Sequence, residues 1–203
     1  MSHEFISGSF QPPRRRLFSI RSWSLLALLF LPVLNACDDD PFKIKWESDP
    51  DTVLLYSLAR PELNLLSAFD FVRRVPVRIE SPSSAGEWDL AIDTQDGELV
   101  FLPPGAVGIQ NSKARITELP GVRFLDLKEA PRDSTLYVSD RGLPIHLGST
   151  YVFRTRQESG LYGQICVFYG KLEPLAVDAE TGTVTFVYDA SPDCNNRRLI
   201  PNN

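Results

Sequence analysis

From Thr52 to Tyr188 the chain is built of short runs in which apolar residues recur at every second position, rich in Val, Ile, Phe and Tyr and broken by prolines and glycines. No window holds a long, capped 3.6-residue apolar period, so strands are expected throughout and long helices nowhere. Thr52–Leu58 reads as a first strand ended by Pro61, and Val75–Glu80 as an edge strand because Pro76 cannot donate to a ladder. Trp88–Asp93 and Glu98–Leu102 flank Gln95-Asp96-Gly97, a turn that tolerates positive φ, and so form a hairpin. The last third is the most regular: Thr150–Arg156, Gln164–Tyr169, Leu172–Asp178 and Thr183–Tyr188 read as four strands of an antiparallel meander. Only Glu62–Val72, with Leu63, Leu65, Leu66, Phe69 and Val72, partly fits helical spacing, and Asn64 and Ser67 equally punctuate a loop. The expected class is all-β, a single antiparallel sheet or sandwich domain.

Residues 1–36 stand outside that fold. Arg14, Arg15, Arg16 and Arg21 precede the apolar run Leu25–Ala36, which contains Pro32 and is shorter than the ~20 residues a membrane span needs. A basic flank, an apolar middle and a small-residue end make a secretory signal. Arg15-Arg16-Leu17-Phe18 loosely resembles a twin-arginine signal, whereas the strongly apolar Leu25–Leu31 favours the general export route. Leu34-Asn35-Ala36-Cys37 resembles the lipobox of bacterial lipoproteins, which implies acylation of Cys37 and an anchor in the lipid bilayer. A plain signal peptide with an incidental cysteine is the other reading. Residues 37–48 then serve as a lipidated, acidic tether opening with Asp38–Asp40, and residues 49–203 as one domain. The expected location is the bacterial cell envelope, with membrane and leaflet left open.

Three cysteines occur. Lipidation of Cys37 leaves Cys166 and Cys194, which an oxidising compartment allows to pair, the alternative being two separate buried thiols. The formal charge is −5, and residues 1–36 carry four arginines against Glu4, so the remainder stands at about −8. An acidic domain repels phosphate backbones, which argues against nucleic acid as a partner.

Several motifs in succession carry a family resemblance: Gly86-Glu87-Trp88-Asp89-Leu90-Ala91, Tyr151-Val152-Phe153-Arg154-Thr155, Gly170-Lys171-Leu172 and Gly182–Tyr188, behind the lipobox. Phe124-Leu125-Asp126 through Pro131, read as an acidic strand and a proline turn, adds a middle segment. In order and spacing they resemble the HmuY-type envelope lipoproteins. The resemblance implies an all-β domain that captures haem, with a bis-histidine or bis-methionine iron site. The chain departs from that chemistry: beyond the signal segment its one histidine is His146, and Met1 is its one methionine. Haem, if bound, would use His146 alone or with Tyr162 or Tyr169. As a structural residue, His146 is a half-exposed imidazole at a strand edge.

No nucleophile elbow, zinc-protease helix, phosphate-binding loop or Cys-x-x-Cys pair occurs, so no enzyme activity is expected. Asp93–Glu98 lacks calcium-loop spacing and fits a hairpin tip. Arg73, Arg74 and Arg78 form the main basic cluster, and Arg154 and Arg156, two apart, should share one strand face. The expected function is a non-enzymatic ligand-binding lipoprotein, or else a structural lipoprotein with an envelope protein partner and no small ligand. Cys37→Ala is expected to move the protein from the membrane to the soluble fraction on cell fractionation; continued membrane association contradicts the lipid anchor.

Overall fold

The computed structural model describes residues 46–160 and 163–201; Cys37, Asp38–Asp40 and Tyr162 lie outside the described residues. Among the described residues twelve strands are formed: β1 (Asp51–Tyr56), β2 (Ala68–Asp70), β3 (Val75–Val77), β4 (Leu90–Gln95), β5 (Glu98–Leu102), β6 (Arg115–Pro120), β7 (Leu143–Pro144), β8 (Ser149–Arg154), β9 (Glu158–Ser159), β10 (Ile165–Cys166), β11 (Tyr169–Asp178) and β12 (Thr183–Ala190). Sheet A has the order β1-β12-β11-β8-β6, sheet B the order β3-β2-β4-β5-β7, and β9 and β10 form a small ribbon. Every pairing is antiparallel. The class is all-β.

The two five-stranded sheets pack face to face because alternate residues of each supply one shared core. Sheet A contributes Val53, Leu55, Ile116, Tyr151, Phe153, Leu172, Val184, Phe186 and Tyr188; sheet B contributes Phe69, Leu90, Ile92, Leu99 and Phe101, joined by Phe71 and Ile145. Aromatic pairs bridge the sheets. Phe71 stacks on Phe153 at 3.6 Å between ring centroids, and Phe101 meets Tyr151 edge-on at 5.1 Å. Such pairs add about 0.5–1.5 kcal/mol each beyond area burial. Gly170 is required opposite this stack, since a Cβ there would lie 2.1 Å from Phe153 Cζ.

Part of each outer face is also covered. Ala68, Ala91, Val100 and Leu102 of sheet B bury Trp88 between themselves and the partly buried Ile79, Ala106 and Ile109. On sheet A, Val152 packs with Ala130 and Leu199 from two irregular segments. Lys171, on the same outer face, is 3% exposed and donates through Nζ to the carbonyls of Phe124 (2.8 Å) and Leu127 (3.1 Å). Burial lowers its pKa. The Phe124–Pro131 segment, expected as a strand and turn, is therefore a covering loop fastened by that ammonium.

The β4–β5 hairpin turns through Asp96 (φ 52°) and Gly97 (φ 87°), as the two-residue turn requires. Elsewhere the chain departs from expectation. Gln164–Tyr169 is not one strand: Ile165–Cys166 forms the ribbon, and Tyr169 begins a ten-residue β11 that bulges between Pro174 and Ala176. Glu62–Val72 contains no helix. Asn64 adopts φ 70°, Leu63 is 79% exposed, and Phe69 enters the core from β2, so period-two burial overrides a partial helical spacing.

Cys166 and Cys194 are paired, with Cα atoms 5.0 Å apart across 28 residues of sequence. The bond fastens the C-terminal segment beside the ribbon, where the Asn195 side chain also accepts from Val167 N–H and donates to the Ile165 carbonyl. Chain entropy for a loop of this length gives about 3.5 kcal/mol. Cys194→Ser is expected to lower the unfolding free energy extrapolated from urea titration by about that amount and to abolish the sensitivity of the parent to reductant; an unchanged unfolding free energy contradicts that contribution.

Candidate functional site

A groove of about 800 Å³ opens on the outer side of sheet B. Ile79, Trp88, Val107 and Ile109 form its apolar wall, while Asn111, Ser112, Gln157 and Arg156 bring polar groups to it. The groove exists because Trp88, just before β4, fills the sheet surface and the segment after β5 turns back over it through a short 3₁₀ turn, Pro104–Val107.

Beneath it lies a buried ionic network. β8 ends at Arg154 and the chain turns, so that the backbone N–H of Arg156 donates to Asp89 Oδ1 at 2.7 Å. The other oxygen of Asp89 accepts from Phe71 N–H at 2.9 Å. The Arg156 guanidinium, with a side chain 7% exposed, reaches Asp70 at 3.0 Å, Glu158 at 2.6 Å, Asp89 at 3.3 Å and Glu87 at 3.5 Å. Arg73 joins from the surface, 2.7 Å from both Asp70 and Glu87. Four carboxylates thus face two guanidinium groups, leaving a negative surplus.

No family model, curated protein or solved structure matches this chain.

Burial acts against the charge on both central aspartates, with opposite outcomes. It pushes the Asp89 carboxyl up to about 6 against the pull of Arg156. For Asp70 the hydrogen bonds from Arg156 and Arg73 outweigh burial and hold the carboxyl below its usual range.

His146 lies elsewhere. Its side chain is 58% exposed, and Nδ1 is 2.9 Å from Glu118 Oε1. Its backbone N–H donates to the hydroxyl of Tyr151, which in turn donates to the Pro144 carbonyl. Tyr169 pairs with Arg154 at the far end of β8 and packs on the outer face with Val152 and Leu199. The ends of β8 are about 16 Å apart at ~3.3 Å per residue, and His146 and Tyr169 are not brought together. Among the described residues, none that lines the groove is a His, Met, Cys or Tyr. The pair Arg154 and Arg156, expected on one strand face, is split, because the strand ends between them and Arg156 turns into the network.

The network residues were visible in the sequence only as charges inside apolar runs: Asp70 between Phe69 and Phe71, and Asp89 between Trp88 and Leu90. An ionisable group flanked by core residues must be either displaced from the strand or paired, and that signal marks both.

Because Asp89 binds its proton more tightly in the fold than an ordinary aspartate does, its contribution to stability is complete below pH ~4 and is lost as pH rises through about 6. Across that window the loss is ~3 kcal/mol. Asp89→Asn, which does not titrate, is expected to be most destabilised relative to the parent near pH 4 and less so near pH 7. Denaturant titrations at both values check this, and a gap that does not change with pH contradicts it.

Proposed function

We propose that the chain is a non-enzymatic binding lipoprotein of the bacterial envelope, an HmuY-type scaffold whose ligand seat is the groove at Trp88 rather than a haem-iron site. The observation that carries this reading is the groove itself. Its volume lies within the ~300–1,000 Å³ of small-molecule sites, and it combines an apolar wall with a few fixed polar groups.

The charge beneath it selects the ligand. Haem would bring two propionates toward a network with more carboxylates than guanidinium groups, and the described lining residues offer its iron none of the usual axial side chains. A neutral or cationic amphiphile meets neither obstacle: its apolar body fits against Trp88, Val107 and Ile109, and its polar end lies toward Arg156 and its carboxylates. The resemblance to the haem-capturing family is supported by the succession of its motifs, three of which fall on the neighbouring strands β8, β11 and β12 of sheet A.

The test is a titration of the full-length chain in detergent with the neutral dye Nile red and, separately, with ferric haem. Val107, 44% exposed on the groove rim, is replaced by Glu, and His146 by Ala. Saturable dye binding that is weakened at least tenfold by Val107→Glu and untouched by His146→Ala is expected. A saturable haem absorbance shift lost in His146→Ala places the ligand on the imidazole and overturns the groove reading. Absence of saturable binding by either probe favours the structural, protein-interaction alternative.

A further inference from the structure

On the outer face of sheet A, Arg115 of β6 stands directly opposite Arg154 of β8, and Tyr169 of β11 is next in the same row. The alternation fixes this face: Ile116 and Phe153, their chain neighbours, enter the core between the sheets. Like charges directly opposed across an antiparallel pair repel, and a guanidinium cannot relieve the repulsion by losing its proton.

Other arginines have carboxylate partners: Arg156 from within and Arg73 from the surface share the network under the groove, and Arg197 pairs with Glu129. Arg115 and Arg154 form no ion pair among the described residues, and the Nε of each is buried without a hydrogen-bond partner. Both residues are only half-buried, so the stems are fixed while the outer ends of the guanidinium groups reach solvent. Tyr137 and Tyr169 pack on the same surface beside Val152.

Two held guanidinium forks, adjacent and without a counter-charge, match the donor geometry that binds an oxyanion in bidentate fashion. We propose that Arg115 and Arg154 form a seat for a small oxyanion, a phosphate or a carboxylate group, on the outer face of sheet A. The seat is separate from the groove, which lies on the opposite sheet and carries a negative surplus. In an otherwise acidic chain it is a local positive point, and the anion supplies the charge that the strand pairing lacks.

This assignment makes an unusual demand on the unliganded protein. A purely structural arginine stabilises the fold, whereas one held for a ligand against its like-charged neighbour does not. Melting curves of the full-length chain in zwitterionic detergent, at matched ionic strength in chloride, phosphate or acetate, test it on the parent, Arg115→Met, Arg154→Met and Arg154→Lys.

In chloride the two Met variants are expected to melt at or above the parent. Phosphate, acetate or both should raise the parent melting temperature saturably, by about 5 °C at a hundredfold excess over Kd, and the responding anion identifies the group. That rise should vanish in both Met variants and be smaller in Arg154→Lys, which keeps the charge without the fork. Phosphate also stabilises proteins by exclusion from their surface, and that effect would persist in every variant. A rise of equal size in parent and Met variants, no rise above chloride with either anion, or Met variants that melt below the parent in chloride each overturn the proposal.

Discussion

The two sheets are joined at one end by a single charged turn, and much of the architecture follows from it. Arg156 leaves β8 and points its backbone N–H and its guanidinium at carboxylates that belong to the other sheet: Asp70 in β2 and Asp89 just before β4. Asp89 also holds the N–H of Phe71, the residue whose ring stacks on Phe153 between the sheets. One carboxylate therefore sets both the end of β8 and the place where the sheet B aromatic enters the core. Buried charges repay their desolvation only when each has partners, and here each central aspartate has the guanidinium plus backbone donors. Removal of any one member strands the others, which makes the network a constraint on the fold more than a reserve of stability.

A second constraint is that each sheet also buries part of its outer face. An ordinary sandwich leaves its outer faces to solvent and shows polar residues there. In this chain the outer positions of β4, β5 and β8 include Ala91, Val100, Leu102 and Val152, all buried. Irregular segments provide the cover, and on sheet A they are fastened by the Lys171 ammonium on the carbonyls of Phe124 and Leu127, by the Cys166–Cys194 bond at the start of the C-terminal segment, and by the Leu199 N–H on the Lys128 carbonyl beyond it. Carbonyl oxygens of a loop laid on an apolar sheet need donors from beneath, and Lys171 meets that need from the sheet itself.

These features explain what the sequence discloses and what it hides. β1, the β4–β5 hairpin, β8 and β12 are legible because alternation and turn chemistry act locally, and the Asp96-Gly97 turn has the positive φ its residue types allow. The all-β class follows from them. The Glu62–Val72 segment misleads, since leucines at helical spacing are equally produced by a loop with exposed Leu63 followed by a strand that buries Phe69. The start of β11 is hidden because Tyr169 reads as the end of the run from Gln164 and Gly170 as a break, whereas Leu172–Asp178 is legible through Pro174 even though the strand bulges just after it. The site is the least legible part. Asp89 lies in a motif recognised as strand and turn, yet its role depends on Arg156, 67 residues away, and on β8 ending two residues before an apparent strand pattern would. His146, chosen for its chemistry, is engaged by Glu118 at a surface position, because residue type alone carries no information about what stands next to it.

The electrostatic layout then separates two kinds of ligand. Under the Trp88 groove carboxylates outnumber guanidinium groups, and the partial protonation of Asp89 near neutrality reduces that surplus without reversing it. On the outer face of sheet A the imbalance has the opposite sign, with Arg115 and Arg154 opposed and neither in an ion pair among the described residues. Backbone pairing keeps both arrangements in place: the register of β6 with β8 fixes the arginine pair, and the exit of the chain from β8 fixes Arg156. The same strand therefore delivers one cation to an unsatisfied surface and, two residues later, another to a crowded acidic interior. On the proposed reading the acidic groove suits an amphiphile without negative charge, and the arginine pair on the other sheet suits a small oxyanion.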